Sequence, residues 1–308
     1  MPICERDPWR DQYFENIPCP ENVMIPTDDF DAWPWYPEHN WIYDKLRMAQ
    51  SQGFTCGPHG VMPQSFPVFS KPITNLKGMG VGSRVITSVK EIMAYSTPGH
   101  FWMPLLEGPH VSTDCAVVKG EVKWLRHATG VPGSQGTFKY WTLHADEMPE
   151  LVTYLKTWVE KHMATYTGMM NFETIGGKII EAHLRFADQW CDLNGKGWIE
   201  ALIHLYVKGE WHYKDGQRRV GYSIPLFAKH NNNFVHPPRN HQSRIRALPH
   251  VSSLQITFYD NKSASDHPMP PGGFRVGIIN TWDLQAGFAA IAELAKCFPT
   301  HSLMLPLV

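Results

Sequence analysis

Apolar positions along the chain recur at two spacings. Between residues 147 and 163, Leu151, Tyr154, Leu155, Trp158, Val159 and Met163 fall three and four apart, which predicts an amphipathic helix. The same spacing predicts helices over 44–52 (Leu46, Ala49, closed by Gly53), 88–95, 198–208 (Trp198, Ala201, Leu202, Leu205) and 281–296 (Leu284, Phe288, Ile291, Ala295). Alternation or short apolar runs predict strands at 66–72, 85–87, 101–106, 111–118, 122–125, 220–227 and 254–258. Residues 1–40 hold Pro8, Pro18, Pro20, Pro26, Pro34 and Pro37 with no sustained period, so an ordered but irregular arm is expected there. The mixture reads as α+β, with no internal repeat.

One segment sorts its chemistry by face. From Met169 to Arg185 two alternating strands flank Gly176-Gly177. A three-residue loop, Ile175 to Gly177, would pair Asn171 with Glu181. It would put Met170, Phe172, Ile180, Ala182 and Leu184 on one face and Asn171, Glu173, Glu181, His183 and Arg185 on the other. A two-residue turn would set Glu173 beside Ile180 and mix charge with oil. Two carboxylates on one patch call for a positive neighbour, and hard oxygen donors on a rigid hairpin suit Mg²⁺ together with substrate phosphates. The same spacing also suits a solvated sheet face on which Glu and Arg offset one another.

Composition narrows the classes. The 308 residues carry 28 Lys+Arg against 29 Asp+Glu, a net charge of −1, with 43% hydrophobic residues. No net field attracts a phosphate backbone, so no nucleic-acid partner is expected, and the apolar content is enough for a core. No apolar run approaches the ~20 residues of a membrane helix and the first ten residues are polar, so a cytoplasmic protein without a membrane partner is expected. Six scattered cysteines, with no Cys-x-x-Cys, read as free thiols.

Taken in order, several fragments resemble the ATP-grasp superfamily, most of all its biotin-carboxylase-type and carboxylate–amine ligases, from about Tyr43 to Arg185. Asp44-Lys45 before Gly57-Pro58 resembles the helix opening whose lysine reaches a phosphate. Phe69-Ser70-Lys71-Pro72 resembles the strand whose lysine contacts the α-phosphate region. Gly78-Met79-Gly80 resembles the glycine-rich flap, and Met103-Pro104-Leu105-Leu106, leading to His110, is similar to the adenine hinge and ribose contact. Glu173 and Glu181-Ala182-His183-Leu184-Arg185 resemble the acidic strand and the Glu-x-Asn-x-Arg metal motif, with His183 in place of the usual Asn, which admits Mn²⁺ as well as Mg²⁺.

The resemblance implies an α+β ATP-grasp fold of two lobes around ATP: an arm at 1–42, a small lobe at 43–120 and a large lobe at 121–308. It implies ATP-dependent ligation of a small-molecule carboxylate to an amine through an acyl phosphate. Lys45, Lys71, Gly78, Met79, Gly80, Met103, Leu105, Leu106 and His110 would bind nucleotide, and Glu173, Glu181 and His183 would bind metal. Arg185, with Arg244 and Arg246 by position alone, would be catalytic. A homodimer stays open as the assembly. Two rivals stand beside this reading, a nucleotide-binding pseudoenzyme and a metal-dependent hydrolase, although no His-Glu-x-x-His or His-x-His pair marks the latter. The aromatic cluster Trp33, Trp35, Tyr36 and Trp41 suits either a substrate pocket or packing of the arm.

Overall fold

The computed structural model describes residues 3–304 apart from Asn16, Lys77, Asn231, Asn232 and Asn261; Lys77, within the expected flap, thus lies outside the described residues. Two short parallel strands, β1 (Ile3–Cys4) and β2 (Ile25–Pro26), precede helix α1 (Asp29–Trp35). The arm is therefore partly regular. Its helix starts because Asp28, in extended backbone, accepts from the Phe30 N–H at 2.7 Å. Helix α2 (Lys45–Ser51) starts in the same way, with Asp44 capping the Arg47 N–H at 2.9 Å.

A four-stranded antiparallel sheet follows: β3 (Gly57–Pro58), β4 (Val68–Pro72), β5 (Arg84–Ile86) and β6 (His100–Pro104), in the order β3-β6-β4-β5. Helix α3 (Val89–Ala94) closes a small core of Val68, Ile86, Ile92 and Trp102. Phe101 and Met103 alternate to the other side, where they pack on Ala49 of α2, and Phe101 pairs across the ladder with Lys71.

The second sheet has nine strands. Its path runs β11-β10-β7-β8-β9-β12-β14-β13, with β15 (Leu303–Met304) beside β12. The ranges are β7 (His110–Val118), β8 (Glu121–Pro132), β9 (Phe138–Leu143), β10 (Gly168–Ile175), β11 (Lys178–His183), β12 (Gly221–Ala228), β13 (Val251–Gln255) and β14 (Phe274–Thr281). Among the described residues four α-helices accompany this sheet: α4 (Pro149–His162), α5 (Trp198–Lys208), α6 (Arg239–Arg246) and α7 (Leu284–Ala295). All ladders in both sheets are antiparallel. Strand β7, expected with the small lobe, belongs to the large sheet.

Helix α4 buries Leu151, Leu155, Trp158 and Val159 on Cys115, Val117, Met170 and Phe172. The opposite sheet face buries Ala116 and Met169 under Trp198 and Leu202 of α5. Each such large side chain contributes about 1.5–3 kcal/mol. Because side chains alternate, Ser112, Asp114, Asn171 and Glu173 share the face of Ala116 and Met169, further along the strands than α5 covers.

Three elements depart from the apolar pattern. Strand β8 runs far past 122–125 because Arg126 and His127 are buried with partners: Arg126 donates to the Leu193 and Arg219 carbonyls, and His127 bonds Thr113 at 2.9 Å. Strand β9 extends the sheet where no strand was expected. Helix α6 buries only Ile245 among polar residues, so no period announces it.

Candidate functional site

The hairpin β10–β11 turns on two residues, not three. Ile175 pairs with Lys178 across Gly176-Gly177, whose φ values of 55° and 75° suit the tight primed turns that match strand twist. A bulge then shifts the register, so Glu173 faces Glu181 and Asn171 faces His183. The expected Asn171–Glu181 pairing is thereby corrected. The bulge absorbs the extra residue at Ile180 and restores the polar face, so the mixing that argued against a short turn does not arise. Gly176 is fixed by its neighbour: a Cβ there would run into the Glu107 carbonyl oxygen, in the segment that leads from β6 to β7.

Two lysines from separate elements reach this hairpin. Lys45, at the start of α2, pairs with Glu181 at 2.7 Å. Lys71, on β4, donates to the Ile180 carbonyl at 2.7 Å and stands over the Phe101 ring. Burial, and then the nearby Lys45 charge, push the Lys71 pKa down to about 7 against the pull of Glu181. Burial would raise the Glu181 carboxyl, but Lys45 and His183 hold it below its usual range. On the same face His110 meets Glu173 at 2.5 Å; burial lowers the imidazole pKa, yet the Glu173 bond and charge outweigh it and keep it above its usual value.

The pH consequence has a definite sign. Below about pH 7 the folded protein carries the full cost of a buried Lys71 ammonium, and that cost fades as pH rises toward the ordinary lysine value of about 10.4. A polyphosphate at this point would recharge Lys71. Binding ATP at pH 8 is therefore expected to take up close to one proton, read by calorimetry in two buffers of different ionisation enthalpy. No buffer dependence would mean that Lys71 is not at the phosphates.

The other expected nucleotide residues lie on the small sheet or its exits. Met103 is buried against Phe101 and Ala49, and Leu105 and Leu106 lead from β6 toward β7. Gly78, Met79 and Gly80 all have positive φ (64°, 60°, 65°). This bend brings the Met79 carbonyl down on Gly136 of the large sheet's β8–β9 loop, where a Cβ would approach within 2.9 Å of it.

A second centre, which no pattern in the sequence announced, is organised by Asp29 of α1. Its carboxylate takes His183 Nδ1 at 2.9 Å, Arg185 Nε at 3.2 Å and the Tyr43 hydroxyl at 3.1 Å. Burial would raise Asp29, but Arg185 and His183 hold it well below the usual carboxylate range. The only sequence signal was the Asp28-Asp29 pair opening a helix inside an aperiodic arm. Beside it Asp114 is wholly buried, accepting from Asn171 Nδ2 and the Ala187 N–H, both at 2.8 Å; burial raises its pKa to about 7 despite these bonds. Asn171 is thus engaged away from Glu173 and Glu181.

Not every expected residue is gathered here. Arg244 and Arg246 sit exposed on α6, which packs on β13 at the far edge of the large sheet's path; Arg246 donates to the Leu254 carbonyl. Neither joins the hairpin cluster. For a metal, Glu173 and Glu181 are cross-strand partners offering hard oxygens, which fits an ion completed by phosphates. His183 Nδ1 is held by Asp29, which leaves Nε2 as the ring nitrogen it could offer an ion. Among the described residues, three-ligand groups with donors within 4.8 Å occur elsewhere and not at Glu173, Glu181 and His183. All six cysteines are unpaired, and among the described residues no helix is long and apolar enough to cross a membrane.

No known protein family and no curated protein matches the sequence. Solved structures do match its fold. The chain is similar to an L-amino acid ligase from Bacillus licheniformis (TM-score 0.62, 14% identity, covering 94% of this chain and 82% of that one). It is also similar to a phosphoribosylamine–glycine ligase from Thermotoga maritima (0.61, 13%, 94% and 85%). A third match is a biotin carboxylase from Campylobacter jejuni in a β-γ-ATP complex (0.57, 14%, 91% and 74%). The class is therefore α+β, and the particular fold is the ATP-grasp fold, in a divergent version.

Proposed function

We propose that this protein is an ATP-dependent ligase that joins a carboxylate to an amine through an acyl phosphate. The observation that carries the reading is the convergence of Lys45 and Lys71 on the carboxylate-bearing strand β11. A triphosphate needs its charge cancelled before an anionic carboxylate can approach the γ-phosphorus. Lys45 would exchange Glu181 for a phosphate, and Lys71 would gain a proton and do likewise. The backbone of Gly78, Met79 and Gly80 would cover the phosphates, while Met103, Leu105, Leu106 and His110 would border the nucleoside.

Held by Glu173 and Glu181, a magnesium or manganese ion would supply charge neutralisation for the phosphates. Arg185, oriented by Asp29, would hold the substrate carboxylate and the negative charge that develops when the amine attacks the acyl carbon and phosphate leaves. That the three solved neighbours above are two ligases and a carboxylase supports the same chemistry.

One observation favours a second reading, a nucleotide-binding module without turnover. Apart from Lys71, which bonds the Ile180 carbonyl, the candidate charges around the hairpin have ionic partners within the chain: Lys45 with Glu181, His110 with Glu173, and Arg185 and His183 with Asp29. The two readings part on product release. With Mg-ATP and a panel of carboxylates and amines, the ligase is expected to release ADP and phosphate only when both co-substrates are present. ATP binding with no ADP from any carboxylate–amine pair would leave the second reading, and absence of ATP binding would remove both.

A further inference from the structure

Three side chains gather on the surface just beyond α5. His204 lies in the last turns of that helix, which ends at Gly209 in left-handed backbone (φ 70°), its N–H closing on the Leu205 carbonyl at 2.9 Å. The reversal carries the next residues back along the helix. Trp211 turns inward onto Trp124, Trp198 and Tyr213, so its neighbours Glu210 and His212 point outward beside His204. Both imidazoles then aim at one oxygen: His212 Nε2 is 2.9 Å and His204 Nε2 3.4 Å from Glu210 Oε2, with ring centroids 4.8 Å apart.

As hydrogen bonding this is a weak use of three exposed groups, because one solvated carboxylate oxygen shared by two donors contributes little. As a ligand set it is well proportioned. With metal–nitrogen and metal–oxygen distances of about 2.0–2.2 Å, neighbouring ligands of a tetrahedral ion sit roughly 3.3 Å apart. The two observed separations bracket that value, and the three donor atoms all lie within 4.8 Å of one another.

The geometry points to a divalent metal site at His204, Glu210 and His212. Two imidazoles and one carboxylate select Zn²⁺ or a neighbouring transition ion over Mg²⁺ and Ca²⁺, and the exposure of His212 (65%) and Glu210 (60%) leaves the fourth position to water. The ion ties the end of α5 to the segment bearing Trp211 and Tyr213. It shares no residue with the nucleotide site, so it stands or falls apart from the ligase reading.

The test titrates ZnCl₂, CoCl₂ and MgCl₂ into the full, untagged chain by calorimetry, with visible absorption for Co²⁺. The expected result is one Zn²⁺ per chain with a dissociation constant on the order of micromolar, d–d bands for Co²⁺, no Mg²⁺ uptake at this site, and a rise in Tm of a few degrees with Zn²⁺. The double variant His204→Ala/His212→Ala is expected to lose at least about 30-fold in Zn²⁺ affinity, and Glu210→Gln about tenfold. Both keep the parental circular dichroism because the groups are exposed. Absence of one-equivalent Zn²⁺ binding in the parent, or equal Zn²⁺ binding by the double variant, overturns the site. So does undiminished binding by Glu210→Gln, which would show that no carboxylate takes part.

Discussion

Replacing Lys71 by Met is expected to weaken ATP binding by about 10- to 100-fold, the worth of one or two charge-assisted hydrogen bonds to phosphate. The fold should barely notice. The ammonium is buried and its pKa is already depressed to about 7, so its removal relieves a desolvation cost that offsets the lost bond to the Ile180 carbonyl. The expected outcome is a urea midpoint close to the parent's together with a large loss in calorimetric affinity for ATP. The buffer-dependent proton uptake should vanish with it. Unchanged ATP affinity in a folded Lys71→Met protein would remove Lys71 from the phosphate site, and with it the convergence on which the functional reading rests.

Asp29→Asn is expected to produce the largest loss of stability of any single size-conserving change near the site, about 3–5 kcal/mol, because it strands the half-buried Arg185 without its counter-charge and takes the carboxylate from the buried His183. Asp29 accepts from three groups at once, and among the described residues no other carboxylate is hydrogen-bonded to Arg185. The double variant Asp29→Asn/Arg185→Met should recover much of that loss, since the unpaired charge goes too. Urea denaturation of the two single variants and the double variant gives the coupling directly. Purely additive losses would mean that Asp29 and Arg185 do not act as a pair.

These two residues also mark what could and could not be read from sequence. Lys71 was legible because a short run ending in Lys-Pro, between two turn signals, has few alternatives to a strand that stops at the proline. The hairpin was legible as chemistry but not as register: alternation assigns faces, whereas a bulge at Ile180 is invisible to a period of two. Asp29 was not legible, since its role depends on the arm folding back on β11 from about 150 residues away in the chain, and nothing local encodes that contact. Strand β8 and helix α6 were hidden for a related reason. Buried Arg126 and His127 break the apolar pattern of one, and the other is polar throughout except for Ile245. The resemblance placed Arg244 and Arg246 by position alone, and α6 takes them to another part of the sheet.

The most direct measurement is a crystal structure of the chain with a non-hydrolysable ATP analogue and Mg²⁺. Phosphate oxygens are expected within hydrogen-bond distance of Lys45 Nζ and Lys71 Nζ, with a metal ion at Glu181 and the Gly78–Gly80 backbone over the phosphates. A nucleotide bound elsewhere, with Lys45 still on Glu181 and Lys71 still on the Ile180 carbonyl, would contradict this arrangement.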